Sequence, residues 1–246
     1  MQHLTGLRIL NTRPLPEGAI LDQTLQALGA TSISLPLLNI QQLPLPADYI
    51  PLHPILDYAI FISPNAVRCF FSVFQQTSLR WNPQLSCITL GRASAKALQS
   101  FGIEAITIPA EADSKAVLNL PTLHDVQQKN IALIKGKHGL STLDEGLSSR
   151  GALVHPIEVY ERLSTKYSAE YLQSIWQNTK IDIILITSEQ ALINLLQDSR
   201  ANPWIINTPF LVISPRLAQK AQELGIKTIH LCQPNDIVPA LIQLYQ

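Results

Sequence analysis

IDIILITSEQALINLLQ, residues 181–197, changes its period halfway along. The first seven residues are an almost unbroken apolar run, as in a strand buried on both faces. From Glu189 onward the apolar residues recur at helical spacing, with Thr187 and Ser188 at the join. A strand passing into a helix in this way is the unit of a parallel sheet covered by helices. Working outward, LRILNT at 7–12, DYAIFIS at 57–63, SCITLG at 86–91, EAITIP at 104–109, NIALIKG at 130–136, PFLVIS at 209–214 and KTIHL at 227–231 also read as strands. Helices are expected over 17–28, 64–74, 93–101, 114–120, 141–149, 189–197, 216–224 and 237–244. Gly29, Gly102, Gly151 and Gly225 each follow a periodic run and precede an extended one, where a left-handed residue ends a helix. The fold class is α/β, built of parallel βαβ units.

The units repeat at an offset of about 123 residues, a period that marks duplication. Ile62-Ser63-Pro64-Asn65-Ala66 matches Thr187-Ser188-Glu189-Gln190-Ala191, and Gly91 to Gly102 matches Ser214 to Gly225. Asp113 and Leu118 match Asp236 and Leu241, and LGA at 28–30 echoes RGA at 150–152. Duplication predicts two similar sheets with a cleft between facing loops, the place where open parallel sheets take ligands. Two stretches break the rhythm and read as crossings between domains: the proline-marked Pro36 to Pro51, and the β-branched and aromatic Val154 to Arg162. One arrangement makes residues 38–162 an insert in a domain assembled from the two chain ends. The other cuts two tandem domains near residue 124. The residues alone leave both open.

Composition narrows the function classes. The 246 residues carry 18 basic and 18 acidic side chains, so no positive field exists to hold nucleic acid. No apolar run approaches the roughly 18 residues of a membrane span, and the amino terminus lacks a cleavable signal pattern. Cys69, Cys87 and Cys232 are odd in number and widely spaced, and the six histidines are scattered. Neither a disulfide framework nor a metal site is expected. No GxGxxG follows any strand, which argues against a dinucleotide cofactor. The expectation is a cytoplasmic monomer without cofactor, nucleic-acid partner or membrane.

The recurrent chemistry at the strand ends is the small hydroxyl: Thr12, Ser63, Ser94, Thr187, Ser188 and Ser214. Taken singly, each is an ordinary helix cap. Repeated at equivalent places, they frame several helix N-termini whose free N–H groups receive carboxylates without net positive charge. A polyanionic small molecule is the ligand implied.

Several pieces, weak one by one but specific in order and spacing, carry a family resemblance over nearly the whole chain. They are Thr12-Arg13-Pro14, Pro36-Leu37-Leu38, Ser63-x-Asn65-Ala66-Val67, LGRASAKAL at 90–98, Lys135-Gly136, Val159-Tyr160-Glu161-Arg162, IDIILITS at 181–188 and LVISPRLAQKAQELG at 211–225. Together they resemble uroporphyrinogen-III synthase of the bacterial type. The resemblance implies two flavodoxin-like α/β domains joined by a two-stranded linker with the site in the cleft, which favours 1–37 plus 163–246 as one domain and 38–162 as the other. The implied reaction is closure of hydroxymethylbilane to uroporphyrinogen III, with loss of water and inversion of ring D, in tetrapyrrole biosynthesis and without a cofactor. It also admits a transient hand-off of substrate from the preceding pathway enzyme.

By the same resemblance Tyr160 corresponds to the tyrosine beside the leaving hydroxyl, the candidate catalytic residue. Thr12, Arg13, Ser63, Asn65, Gly91, Arg92, Ser94, Lys135, Gly136, Thr187, Ser188 and Ser214 are the candidate substrate-binding residues. Lys135, Lys137 and His138 are either an anion contact or solvated surface groups. The segment Lys135-Gly136-Lys137-His138-Gly139-Leu140 departs from the relatives' pattern of arginine, glycine, any residue, glycine, glycine, arginine. Ser94 stands where threonine is more usual, and Ser214-Pro215-Arg216-Leu217 lacks a frequent glycine and threonine. The alternatives are a non-catalytic binder of a tetrapyrrole or another polyanion and, behind it, a flavodoxin-like or Rossmann cofactor enzyme.

Overall fold

In a computed structural model, which describes residues 3–47, 49, 53–111, 113–139, 141–178, 180–198 and 204–245, strands and helices alternate along most of the chain. In chain order they are β1 (Arg8–Asn11), α1 (Glu17–Ala27), β2 (Thr31–Ser34), β3 (Leu38–Gln42), β4 (Tyr58–Phe61), α2 (Pro64–Phe74), β5 (Ser86–Thr89), α3 (Arg92–Gln99), β6 (Ile106–Thr107) and α4 (Ser114–Leu118). There follow β7 (Asn130–Gly136), α5 (Thr142–Ser148), β8 (Leu153–Ser164), α6 (Ala169–Asn178), β9 (Ile183–Ile186), α7 (Glu189–Asp198), α8 (Trp204–Asn207), β10 (Phe210–Val212), α9 (Pro215–Glu223), β11 (Ile229–Leu231) and α10 (Ile237–Tyr245). No helix among the described residues is long and apolar enough to cross a membrane. Leu140 and residues 48, 50 and 51 of the proline-marked crossing lie outside the described residues.

One sheet has the order β11-β10-β9-β1-β2, the other β3-β8-β7-β4-β5-β6. Neighbours in the first, and β8-β7-β4-β5-β6 in the second, pair in parallel. β3 runs the other way. Leu43 N donates to Val159 O and Thr165 N donates to Leu37 O, so partners on β8 descend as β3 ascends. The chain divides into two compact units, Met1–Asn39 with Leu163–Gln246, and Ile40–Arg162. Both boundaries fall inside β3 and β8, the strands of this antiparallel pair.

Strand registers show how the duplication is laid out in space. The Ile9–Ser32 pair of β1 and β2 recurs as Ile131–Val154 in β7 and β8, and Phe210–Ile229 recurs as Cys87–Ile106. Within the first unit the strand order is 2-1-3-4-5, the flavodoxin-like arrangement. The second unit has that order too, once β7 and β8 are counted ahead of β4, β5 and β6. Each unit therefore takes the opening βαβ of one copy and the closing strands of the other. The duplication is tandem in sequence and interleaved in space.

Burial explains the apolar runs. Ile183, Ile184, Leu185 and Ile186 are fully buried. Ile184 and Ile186 pack on one side of the sheet with Leu10, and Ile183 and Leu185 on the other with Ile9. In the second unit one face is aromatic, with Phe61, Phe70, Phe71 and Phe74 around Tyr49. The opposite face carries Ile60, Ile131, Leu133 and Leu147. Burying each such side chain contributes about 1.5–3 kcal/mol before entropy is counted.

Differences from expectation lie at edges and ends. EAITIP keeps only Ile106 and Thr107 in a ladder, because it is an edge strand that stops before Pro109. TSIS, the β2 edge strand, is too polar to announce itself. Helix α6 is absent from the expected elements, although Leu172 and Ile175 form its buried stripe.

Candidate functional site

The carboxyl ends of β4, β7 and β8 bring together three of the expected residues. Lys135 pairs with Glu158, but Gly136 pairs with Tyr160, so Val159 is an extra residue in β8. Such a bulge turns the strand locally. As a result Val159 and Tyr160, neighbours in sequence, both pack into the aromatic core of this unit together with Ile157. Tyr160 is 1% exposed. Lys137 N donates to its carbonyl at 2.8 Å, fixing the strand beyond the bulge. Its ring lies against Gly136, where a Cβ would approach Tyr160 Cζ to 2.5 Å.

The phenolic oxygen of Tyr160 is 3.1 Å from Ser63 Oγ and accepts from Arg162 Nη2 at 3.1 Å. The Arg162 guanidinium carbon also stands 5.6 Å from the ring centroid, a cation–π distance. Ser63 caps α2, accepting Ala66 N at 3.0 Å. Arg162 is not among the expected site residues. The available signal is the strand period, which puts residues 160 and 162 on one side of β8.

Other expected residues of this unit are spread around the same strand ends. Asn65 Oδ1 accepts from Arg68 Nη2 at 2.9 Å. Gly91 is the extended N-cap of α3, Arg92 is exposed at its first turn, and Ser94 is buried inside that turn with its N–H donating to Gly91 O. Lys135 separates from Lys137 and His138. It is only 7% exposed, and its ammonium makes no hydrogen bond or ion pair among the described residues. Lys137 and His138 are exposed beside Glu161, at 3.5 and 3.9 Å.

In the other unit, Thr12 is fully buried and its Oγ1 donates to Leu185 O at 2.7 Å, joining the end of β1 to β9. Asn11 Nδ2 donates to Gly18 O at 3.0 Å and to Asp22 Oδ1 at 2.7 Å, while Asn11 Oδ1 accepts from Arg13 N at 3.1 Å. Ser32 Oγ also donates to Asp22 Oδ1. This network holds the loop that carries Arg13, whose pKa is lowered by desolvation. Ser188 caps α7 through Ala191 N at 3.2 Å, and Ser214 caps α9 through Leu217 N at 3.3 Å. Thr187, just before Ser188, is partly exposed.

A cavity of about 580 Å³ opens at the opposite, amino-terminal end of this sheet, lined by Leu7, Arg8, Lys180, Asp182, Thr208 and Tyr245 among others. Arg8 and Asp182 neutralise one another there. None of the expected site residues lines it, and the strand carboxyl ends are the better candidate on chemical grounds.

Fold and site define a class: a duplicated parallel α/β protein whose strand ends present hydroxyls, a buried phenol and capped helix N-termini. The family model described as Uroporphyrinogen-III synthase HemD matches residues 20–238, and the chain belongs to that family. The uroporphyrinogen-III synthase of Escherichia coli (strain K12) is 30% identical over 237 residues, covering 94% of this chain and 96% of that protein. A crystal structure of a mutant uroporphyrinogen III synthase from the extremely thermophilic bacterium Thermus thermophilus aligns with a TM-score of 0.65 at 17% identity, over 98% of this chain and 97% of that one. The uroporphyrinogen-III synthetase structure from Helicobacter pylori 26695 aligns with a TM-score of 0.64 at 18% identity, over 97% of each chain. The family expected from the sequence pieces is the family found, and the parallel two-domain fold agrees with these structures.

Proposed function

We propose that this chain is a working uroporphyrinogen-III synthase, a lyase that closes hydroxymethylbilane to uroporphyrinogen III with loss of water and inversion of ring D. The observation that carries the reading is the Tyr160 phenol held against Ser63 at the carboxyl ends of β4, β7 and β8. The terminal pyrrole of the substrate is electron-rich enough to expel its hydroxyl and leave an azafulvene cation. What remains is to protonate the departing oxygen with a weak acid and to direct closure to the substituted carbon. A phenol and a serine supply the first need without adding an anion beside a substrate that already has eight carboxylates.

The carboxylates need receptors, and the strand ends of each unit offer them. Ser63, Asn65, Gly91, Arg92 and Ser94 frame the helix N-termini of one unit, with Lys135 as a cation on a largely buried side chain and Gly136 as the surface on which Tyr160 rests. Arg13, Thr187, Ser188 and Ser214 frame those of the other, while the Thr12 hydroxyl is committed to Leu185 O and serves to join β1 to β9. Residues 1–37 plus 163–246 and residues 38–162 are the two domains of this reading, supported by the two compact units. The protein acts in the cytoplasm as a monomer that takes its short-lived substrate from the preceding pathway enzyme. Freshly made hydroxymethylbilane given to the purified protein tests the activity by separation of the uroporphyrinogen isomers. Isomer III is expected, and formation of isomer I alone overturns the proposal.

A further inference from the structure

We propose that the group touching the leaving hydroxyl is Ser63, and that Tyr160 and Arg162 act through it as a hydroxyl relay. The inference rests on the reading of these strand ends as the active site. Tyr160 is 1% exposed, with its ring against Gly136, whereas Ser63 is partly exposed at the mouth of α2. The phenolic oxygen is therefore the inner member of the pair and the serine the outer one.

Counting protons fixes the direction of the bond between them. Arg162 can only donate, so it occupies one lone pair of Tyr160 Oη. If Ser63 donated as well, the buried phenolic proton would be left without an acceptor among the described residues, at a cost of about 1–3 kcal/mol. The satisfied arrangement has Tyr160 O–H donating to Ser63 Oγ. That oxygen already accepts from Ala66 N. Both serine lone pairs are then engaged, and its own proton is the one free to point at a ligand.

The step follows from this polarity. As the carbon–oxygen bond of the terminal hydroxymethyl group breaks, Ser63 gives its proton to the departing oxygen and takes the proton of Tyr160, so that water leaves. The phenolate that results is compensated by the Arg162 guanidinium, which bonds its oxygen and lies beside its ring. The azafulvene cation closes on the substituted carbon of ring D, that ring's bond to its old methylene bridge breaks and re-forms at its unsubstituted carbon, and the proton lost from that carbon as aromaticity returns passes back through Ser63 to Tyr160. Substrate yields product and water, and the enzyme regains its starting state.

Single-turnover rates for wild type, Ser63→Asn, Tyr160→Phe and the double variant test the relay. Asparagine keeps the cap of α2 and lacks the hydroxyl. Each single variant is expected to lower kcat about 100-fold or more, with a much smaller effect on KM, and the double variant is expected to be no slower than the slower single. Ser63→Thr, which keeps both cap and hydroxyl, should restore turnover. The rate in mixed light and heavy water should bow with deuterium content in wild type, where two protons move, and become linear in Tyr160→Phe. Normal turnover in Ser63→Asn beside a slow Tyr160→Phe overturns the relay and leaves the site standing, as do losses that multiply in the double variant. Normal turnover in both single variants overturns the placement of the active site itself.

Discussion

A Cβ at Gly136 would lie 2.5 Å from Cζ and 2.9 Å from Oη of Tyr160. This glycine is required by close approach. Gly136→Ala must push the ring away, and the ring is enclosed by the aromatic core, so the displacement falls on the hydroxyl and its bond to Ser63. Overpacking of this kind costs about 1–3 kcal/mol of stability. A misplacement near 1 Å lowers turnover by about 100-fold. Thermal melting together with the isomer assay checks both, and wild-type turnover in a Gly136→Ala protein would show that the position of the phenol is immaterial.

The sheet strands and the repeat are legible in the sequence because both rest on local pattern: apolar runs, helix-stopping glycines and hydroxyls at the joins. The interleaving of copies is not, since nothing in Leu38–Gln42 or Leu153–Ser164 states which strand each will pair with. Ser63, Gly136 and Tyr160 are each legible as candidates, yet the Ser63–Tyr160 contact spans 97 residues and depends on a bulge at Val159. Arg162 shares a side of β8 with Tyr160 by the strand period, but only the structure shows its guanidinium bonded to the phenolic oxygen. Lys135 looks like its exposed neighbours, and only burial distinguishes it.

His138 adopts φ 59, the left-handed region that favours glycine. A residue with a Cβ is disfavoured there by about 1–2 kcal/mol. Its imidazole is 78% exposed and approaches Glu161 only to 3.9 Å, so little is lost by removing it. His138→Gly should gain about 0.5–1 kcal/mol, after the greater freedom of glycine in the unfolded chain is subtracted. A urea midpoint below that of wild type would show that the imidazole holds the turn.

Arg8 grips Asp182 with its backbone N–H at 2.9 Å and with Nε and Nη2 at 3.1 Å each, tying β1 to the start of β9. Burial alone would raise the Asp182 pKa, but the bonds and charge of Arg8 outweigh it, and the carboxyl titrates below its ordinary 3.8. The folded state therefore binds fewer protons than the unfolded chain. The resulting stability is fully present above the unfolded value and is lost as pH falls through the folded one. Asp182→Asn should cost about 1 kcal/mol at neutral pH, a figure reduced for partial exposure. The difference from wild type should vanish below the folded pKa of the carboxyl. Equal denaturation midpoints for the two proteins at pH 7 would contradict it.

Thr12 is the residue for which structural and ligand roles separate most cleanly. Its hydroxyl is fully buried, and its single proton is committed to Leu185 O at 2.7 Å, leaving none for a substrate carboxylate. Thr12→Val keeps the shape and removes that donor, stranding a carbonyl in the sheet at a cost of about 1–2 kcal/mol. Thr12→Ser keeps the donor and should lose less, through one methyl group. KM for hydroxymethylbilane should stay within about twofold in both, because the loop that carries Arg13 is also held by the Asn11 contact to Arg13 N. A Thr12→Val protein with native stability and a strongly raised KM would mean instead that the hydroxyl turns outward to meet the substrate.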